Sequence, residues 1–159
     1  MMSEEAFDGR CTCGEIQYRM TDMPLVVNCC SCSWCQRETG SAFVINAMIE
    51  SDRVELLSGK PELVDTPSAS GKGQRIARCP TCKVAVWGHY AGGGDKLAFV
   101  RVGTLEDPAR FPPDVYVFAS TKLPWVSFPE GARVYDEYYK RDDVWSEKSV
   151  ARIKALFAK

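Results

Sequence analysis

The sequence predicts a mainly β fold of short antiparallel strands closed by one C-terminal helix, on three observations. The first is period-two alternation. Ile16, Tyr18 and Met20 alternate with Gln17 and Arg19; Val54 and Leu56 alternate with Arg53 and Glu55; Val84, Val86 and Gly88 alternate with Ala85 and Trp87. Leu97 to Val102 and Val115 to Phe118 add two β-branched and aromatic runs, and such patterns mark half-buried strands. The second is turn chemistry between those runs, at Gly59-Lys60-Pro61 and at Gly92-Gly93-Gly94-Asp95. No Gly-Lys-Ser/Thr follows the three glycines, so they form a hairpin or wide turn and not a phosphate loop. The third is a single helical stripe near the end, where Val150, Ile153 and Phe157 recur at spacings of three and four with Leu156 beside them. Ser146 is placed to cap that helix, and its stripe is expected to pack on a sheet.

The chain has 159 residues, which predicts one domain over 1–159. A chain of this size buries roughly 68–70% of its unfolded surface. With 45% hydrophobic and 26% charged residues, its composition is that of a globular protein and excludes wholesale disorder. Net charge is −1 and no Lys/Arg cluster stands out, so the electrostatic footprint of a nucleic-acid binder is missing. Met1-Met2-Ser3-Glu4-Glu5-Ala6 lacks the features of a secretory signal. No apolar run approaches the roughly 18 residues of a membrane span. These readings point to the cytoplasm, where thiols stay reduced. Between Thr66 and Gly73, the small and turn-forming residues read as an exposed loop, with a mobile lid as the alternative.

Eight cysteines in such a chain ask for metal before disulfides. Cys11-Thr12-Cys13 and Cys79-Pro80-Thr81-Cys82 each offer two sulfurs to one point at short loop-closure cost. Together they make a closed tetrahedral set for a structural zinc, with Zn–S of about 2.3 Å. A redox role for Cys79 and Cys82 wants a βαβ context that this strand-rich stretch does not offer. The second group is Cys29-Cys30-Ser31-Cys32-Ser33-Trp34-Cys35. Its C-x-C-x-x-C spacing brings Cys30, Cys32 and Cys35 to one metal. Neighbouring residues on a strand point to opposite faces, so Cys29 falls outside that set and reads as a small buried residue. His89, the one histidine, is read as a packed or hydrogen-bonded residue and not as a ligand.

Three thiolates leave zinc one position short, and an open position distinguishes catalytic from structural sites. A zinc complex with three thiolates carries a net charge of about −1 and is a weak generator of hydroxide. It suits binding a thiol as thiolate, which favours sulfur chemistry over hydrolysis.

The segment Gly9-Arg10-Cys11-Thr12-Cys13-Gly14-Glu15-Ile16-Gln17-Tyr18 resembles the opening signature of the glutathione-dependent formaldehyde-activating enzymes, also called the centromere protein V family. The run from Cys30 to Phe43 is similar to the family's second block, Arg78 to Cys82 to its third, and Gly103 to Pro108 with Pro124-Trp125 to its C-terminal part. The resemblance implies an Mss4-like fold of several coiled antiparallel β-sheets stapled by zinc, with the short C-terminal helix appended. It implies two Zn2+ per chain, one structural at Cys11, Cys13, Cys79 and Cys82 and one functional at Cys30, Cys32 and Cys35. It also implies a carbon–sulfur lyase of the S-(hydroxymethyl)glutathione synthase type, reversibly joining a thiol (glutathione) and an aldehyde (formaldehyde). Two positions depart from the family's pattern: Lys83 stands where glycine commonly follows the last cysteine, and Ser31 where histidine is frequent.

Arg37, two residues beyond the third thiolate, is a candidate for holding a substrate carboxylate, the alternative being a surface salt bridge. Trp34 and Trp125 are candidate pocket walls, or core aromatics. No residue stands out as a general base. A zinc-stabilised binding module without turnover, or a thiol or metal-relay protein built on Cys29 to Cys35, are the alternative functions.

Overall fold

The computed structural model describes residues 5–158, and over that span the architecture is mainly β, built from two sheets. The strands in chain order are β1 (Phe7–Arg10), β2 (Gln17–Met20), β3 (Val26–Cys30), β4 (Val44–Glu50), β5 (Val54–Ser58), β6 (Glu62–Thr66), β7 (Gln74–Arg78), β8 (Ala85–Tyr90), β9 (Leu97–Arg101) and β10 (Val115–Val117). A three-stranded sheet has the order β1-β2-β5. A seven-stranded sheet has the order β10-β3-β4-β9-β8-β7-β6. Neighbouring strands run antiparallel except β10, which lies parallel to β3. Gly59-Lys60-Pro61 carries the chain from one sheet to the other, and the glycine run turns β8 into β9.

Side-chain alternation gives the large sheet two different faces. Val27, Ala47, Ile49, Ala98 and Val100 turn toward the small sheet and close a dry core with Phe7, Ile16, Tyr18 and Met20. Val26, Met48 and Leu97 turn the other way and pack with Val115 and Val117 against the C-terminal segment, through Tyr139, Val144 and Ile153. Val54 and Leu56 are the exception to simple alternation, since β5 is an edge strand and Leu56 is 43% exposed.

The helices are α1 (Ser33–Thr39), α2 (Arg141–Val144) and α3 (Glu147–Phe157). α3 begins where the sequence predicts, with the Ser146 hydroxyl accepting from the Ser149 amide at 3.1 Å. Its buried face is Ser149 and Ile153, with Leu156 packed alongside; Phe157 lies off that face under Lys96. An ion pair completes the docking: Arg152 meets the buried Glu50 of β4 at 2.6 Å, and Glu50 also faces Arg53 at 3.6 Å. α1 lies where only strands and loop are expected. Cys32 caps it by accepting from the Cys35 amide at 3.3 Å, and Gly40 ends it in the left-handed region. Phe118 leaves β10 in that same region, so the β-rich run stops at Val117.

Tyr18 ties the two sheets together. Its ring is fully buried and stands edge-on to Trp87, and its hydroxyl meets Thr104 at 2.6 Å. A Cβ on Gly9 would lie 2.3 Å from that ring. Gly9→Ala is therefore expected to destabilise the protein by about 1–3 kcal/mol, the usual cost of overpacking a filled core. A urea unfolding midpoint unchanged from the parent would show that the ring can yield.

Candidate metal centres and the adjoining cavity

Two groups of cysteines converge, and they are the two that the spacing predicts. The sulfurs of Cys11, Cys13, Cys79 and Cys82 all lie within 4.8 Å of one another, as do those of Cys30, Cys32 and Cys35. Cys29 is buried on the opposite side of β3 and belongs to neither. His89 donates from Nδ1 to the Leu97 carbonyl at 2.7 Å and is likewise in neither group.

The four-cysteine group joins the β1–β2 turn to the β7–β8 turn. Cys11 Sγ lies 3.6 Å from Cys13 Sγ, and Cys13 Sγ 3.6 Å from Cys79 Sγ. Four sulfurs at about 2.3 Å around a tetrahedral zinc stand about 3.8 Å apart, so the donor set fits that ion. Backbone amides point at the sulfurs as they do when thiolates need stabilising: Ile16 N to Cys11 at 3.3 Å, and Thr81 N and Cys82 N to Cys79 at 3.4 Å. The amides of Cys13 and Val84 draw the Cys82 thiol down to about 6. Lys83, at the departure from the family's glycine, takes φ +67°. It holds the turn by donating its amide to the Cys79 carbonyl at 3.0 Å and accepting from Arg78 at 3.1 Å.

The three-cysteine group sits where β3 gives way to α1. Cys30 ends the strand, Cys32 caps the helix and Cys35 is in its first turn. Around them the backbone is clamped: the Ser31 carbonyl accepts from Gln36 Nε2 at 2.9 Å and Thr121 Oγ1 at 3.0 Å, and the Ser31 amide donates to Val117 at 3.1 Å. Cys32, receiving hydrogen bonds from Cys30 and Cys35, is pulled down to about 2. Sharing that charge with Cys32 pushes Cys30 up to about 11 and Cys35 higher still. Three thiols this close hold one negative charge among them; a divalent cation is what allows all three to ionise.

A cavity of about 290 Å3 opens directly on these three cysteines. Trp34, Tyr90, Phe99, Phe118 and Tyr138 wall it. The loop between β6 and β7 forms one side through Ser68, Ala69 and Ser70, and is internally bonded, with Ser68 Oγ accepting from Gly73 N at 3.1 Å. That segment is a wall of the cavity, a role its composition alone does not reveal. Of the tryptophans singled out in the sequence, Trp34 lines the cavity, whereas Trp125 is 73% exposed and does not.

Arg37 is exposed on the outer side of α1 and is absent from the cavity lining. The arginine that reaches the cavity is Arg101, at the end of β9. No motif marks it. The signal available in the sequence is an arginine inside the apolar run Leu97 to Val102, where a charged side chain has to be accommodated in a buried strand.

Comparison with known proteins places these features in a family. The sequence model described as glutathione-dependent formaldehyde-activating enzyme matches residues 6–121. No curated protein matches the chain. Among solved structures it is similar to the crystal structure of a Rhodobacter sphaeroides protein, a Northeast Structural Genomics target, at 20% identity and a TM-score of 0.46, over 62% of this chain and 87% of that one.

The left-handed Lys83 generates a stability prediction. Lys83→Gly relieves the Cβ strain of that conformation while loosening the unfolded chain, for a net gain of about 0.5–1 kcal/mol. Thermal unfolding of the zinc-loaded protein is expected to move up by roughly 1–4 °C; a lower midpoint would mean that the Lys83–Glu62 pair outweighs the backbone term.

Proposed function

We propose that this chain, which belongs to the glutathione-dependent formaldehyde-activating enzyme family, is a zinc-dependent carbon–sulfur lyase that reversibly joins a thiol such as glutathione to an aldehyde such as formaldehyde. The observation that carries the proposal is the pairing of an incomplete donor set, Cys30, Cys32 and Cys35, with a cavity, part aromatic and part polar, that ends on it. Cys11, Cys13, Cys79 and Cys82 would hold a second, structural zinc, complete in four sulfurs. Zinc at the three-cysteine site would supply an acceptor for a soft donor, holding a thiol in its thiolate form at neutral pH.

The overall reaction forms one bond between the thiol sulfur and the carbonyl carbon, and the thiol proton ends on the carbonyl oxygen. The reverse reaction cleaves that carbon–sulfur bond and returns the proton. The chain's own side chains orient the reactants and exclude water. Trp34, Phe99 and Phe118 give a dry wall that slows competing hydration of the aldehyde. Tyr90 presents a phenol to the same cavity, and burial pushes its pKa above the ordinary value, so it stays protonated. As a protonated phenol it is suited to donating a hydrogen bond to the carbonyl oxygen. Among the described residues no helix is long and apolar enough to cross a membrane.

Exchange spectroscopy on glutathione and formaldehyde tests the reaction. The zinc-loaded protein is expected to accelerate exchange between free glutathione and its hydroxymethyl adduct. Cys35→Ser should return exchange to the uncatalysed rate and lower zinc from two ions to one per chain, with unfolding still cooperative. A fully loaded parent protein that leaves the exchange rate unchanged would refute the lyase reading.

A further inference from the structure

One polar strip in the cavity plays no part in the chemistry above. Asn28, Asn46 and Arg101 stand side by side across β3, β4 and β9, each directly opposite the next in the strand register. All three line the cavity, on the same face of the sheet as Cys30. Asn28 is occupied: its Oδ1 accepts from the Tyr139 hydroxyl at 2.9 Å and its Nδ2 reaches the Met48 sulfur at 3.4 Å. The other two are not. Arg101 is 9% exposed and its Nε has no hydrogen-bond partner; Asn46 is 6% exposed and its Oδ1 has none either. On the neighbouring wall, Gln74 holds its Nε2 toward the Pro67 carbonyl and leaves a buried Oε1 unpartnered.

Buried charges are ordinarily paired. Among the described residues no carboxylate pairs with Arg101. Glu38 is the one carboxylate in the cavity lining, and it is taken by Arg78. The cavity therefore carries one guanidinium that no carboxylate of the described residues pairs. Directly across from it stands Asn46, whose carbonyl lacks an N–H, and Gln74 Oε1 is a second free acceptor elsewhere in the lining.

We infer that Arg101 is a carboxylate anchor, and that the cavity selects thiols bearing a carboxylate, with Asn46 beside it to accept from an amide or ammonium. The inference rests on the thiol-accepting reading of Cys30, Cys32 and Cys35. Sulfur at the cysteines and carboxylate at Arg101 fix the ligand at both ends. The planar fork of a guanidinium suits a carboxylate. A neutral thiol leaves the guanidinium unpaired in a closed cavity, and a site built around a polar group rejects ligands that lack its partner. Arg101 thereby takes the substrate-holding role that its position near the third thiolate assigns to Arg37 in the sequence.

Titration calorimetry on the zinc-loaded protein tests this with ω-mercapto carboxylic acids of increasing chain length, each paired with its own neutral amide. In the parent protein at least one acid is expected to bind about tenfold or more tighter than its amide, the usual worth of a charge-assisted hydrogen bond. Arg101→Gln should abolish that preference by weakening the acid without weakening the amide, which also shows the cavity intact; Arg101→Lys should keep part of it. Acid and amide bound alike by the parent protein would overturn the anchor alone. So would an Arg101→Gln protein that loses zinc or weakens both ligands equally, since Arg101 would then serve as counter-charge to the metal–thiolate complex. Binding of neither ligand would overturn the thiol-accepting reading, and the anchor with it.

Discussion

The alternation of side chains along β3, β4 and β9 is the constraint on which the cavity depends. A strand has only two faces, and in these three strands both are buried by different partners. Val27, Ala47, Ile49, Ala98 and Val100 are committed to the core shared with the small sheet. Their neighbours are thereby forced to the other side, where Val26, Met48 and Leu97 meet the C-terminal helices. Further along the same face the helices do not reach, and Asn28, Cys30, Asn46, Phe99 and Arg101 line open space instead. A one-residue slip in any of these pairings would send the polar strip into the dry core and the core residues into the cavity. The apolar half of the alternation thus holds the polar half in register.

The two cysteine groups are separate sites that share a mechanical link. Arg78, immediately before Cys79, forms an ion pair with Glu38 on α1, three residues beyond Cys35. Arg78 also donates to the Lys83 carbonyl, so the turn carrying Cys79 and Cys82 is braced by the same guanidinium. Behind α1, Gln36 and Thr121 both donate to the Ser31 carbonyl and fix the backbone between Cys30 and Cys32. A four-sulfur centre that orders the β7–β8 turn therefore also steadies the helix presenting Cys35.

The parts of this architecture legible in the sequence are those written in local periodicity or ligand spacing. Alternation at Tyr18 and Met20, the capped helix after Ser146 and both cysteine groups are local in that sense. Exclusion of Cys29 follows from strand geometry alone, because β3 turns it away from Cys30. What stays hidden is set by tertiary context. α1 is seven residues long, too short for a hydrophobic period to show, and its cap is a cysteine sulfur. Arg37 is close to the thiolates in sequence but on the outer side of its helix, whereas Arg101 is remote in sequence and delivered by strand pairing. Phe157 fits the helical stripe, yet the buried ion pair of Arg152 with Glu50 settles which side of α3 faces the sheet.

Electrostatics connects the cysteines to the rest of the cavity. Without a cation the three thiols crowd one negative charge onto Cys32. With one, three thiolates and a divalent ion leave a complex of net charge about −1. That excess negative charge would make the site a poor source of hydroxide, while its soft donor set would suit the thiol of the proposed function, whose proton would be released on binding. An incoming thiolate would add a further negative charge inside a partly aromatic cavity, where low-polarity surroundings magnify repulsion as well as attraction. A ligand carboxylate paired with Arg101 would form a neutral ion pair held away from the sulfur. Under the proposed function, the side chains that discriminate among thiols would be those that meet the ligand's charged end, while the cysteines would recognise only its sulfur.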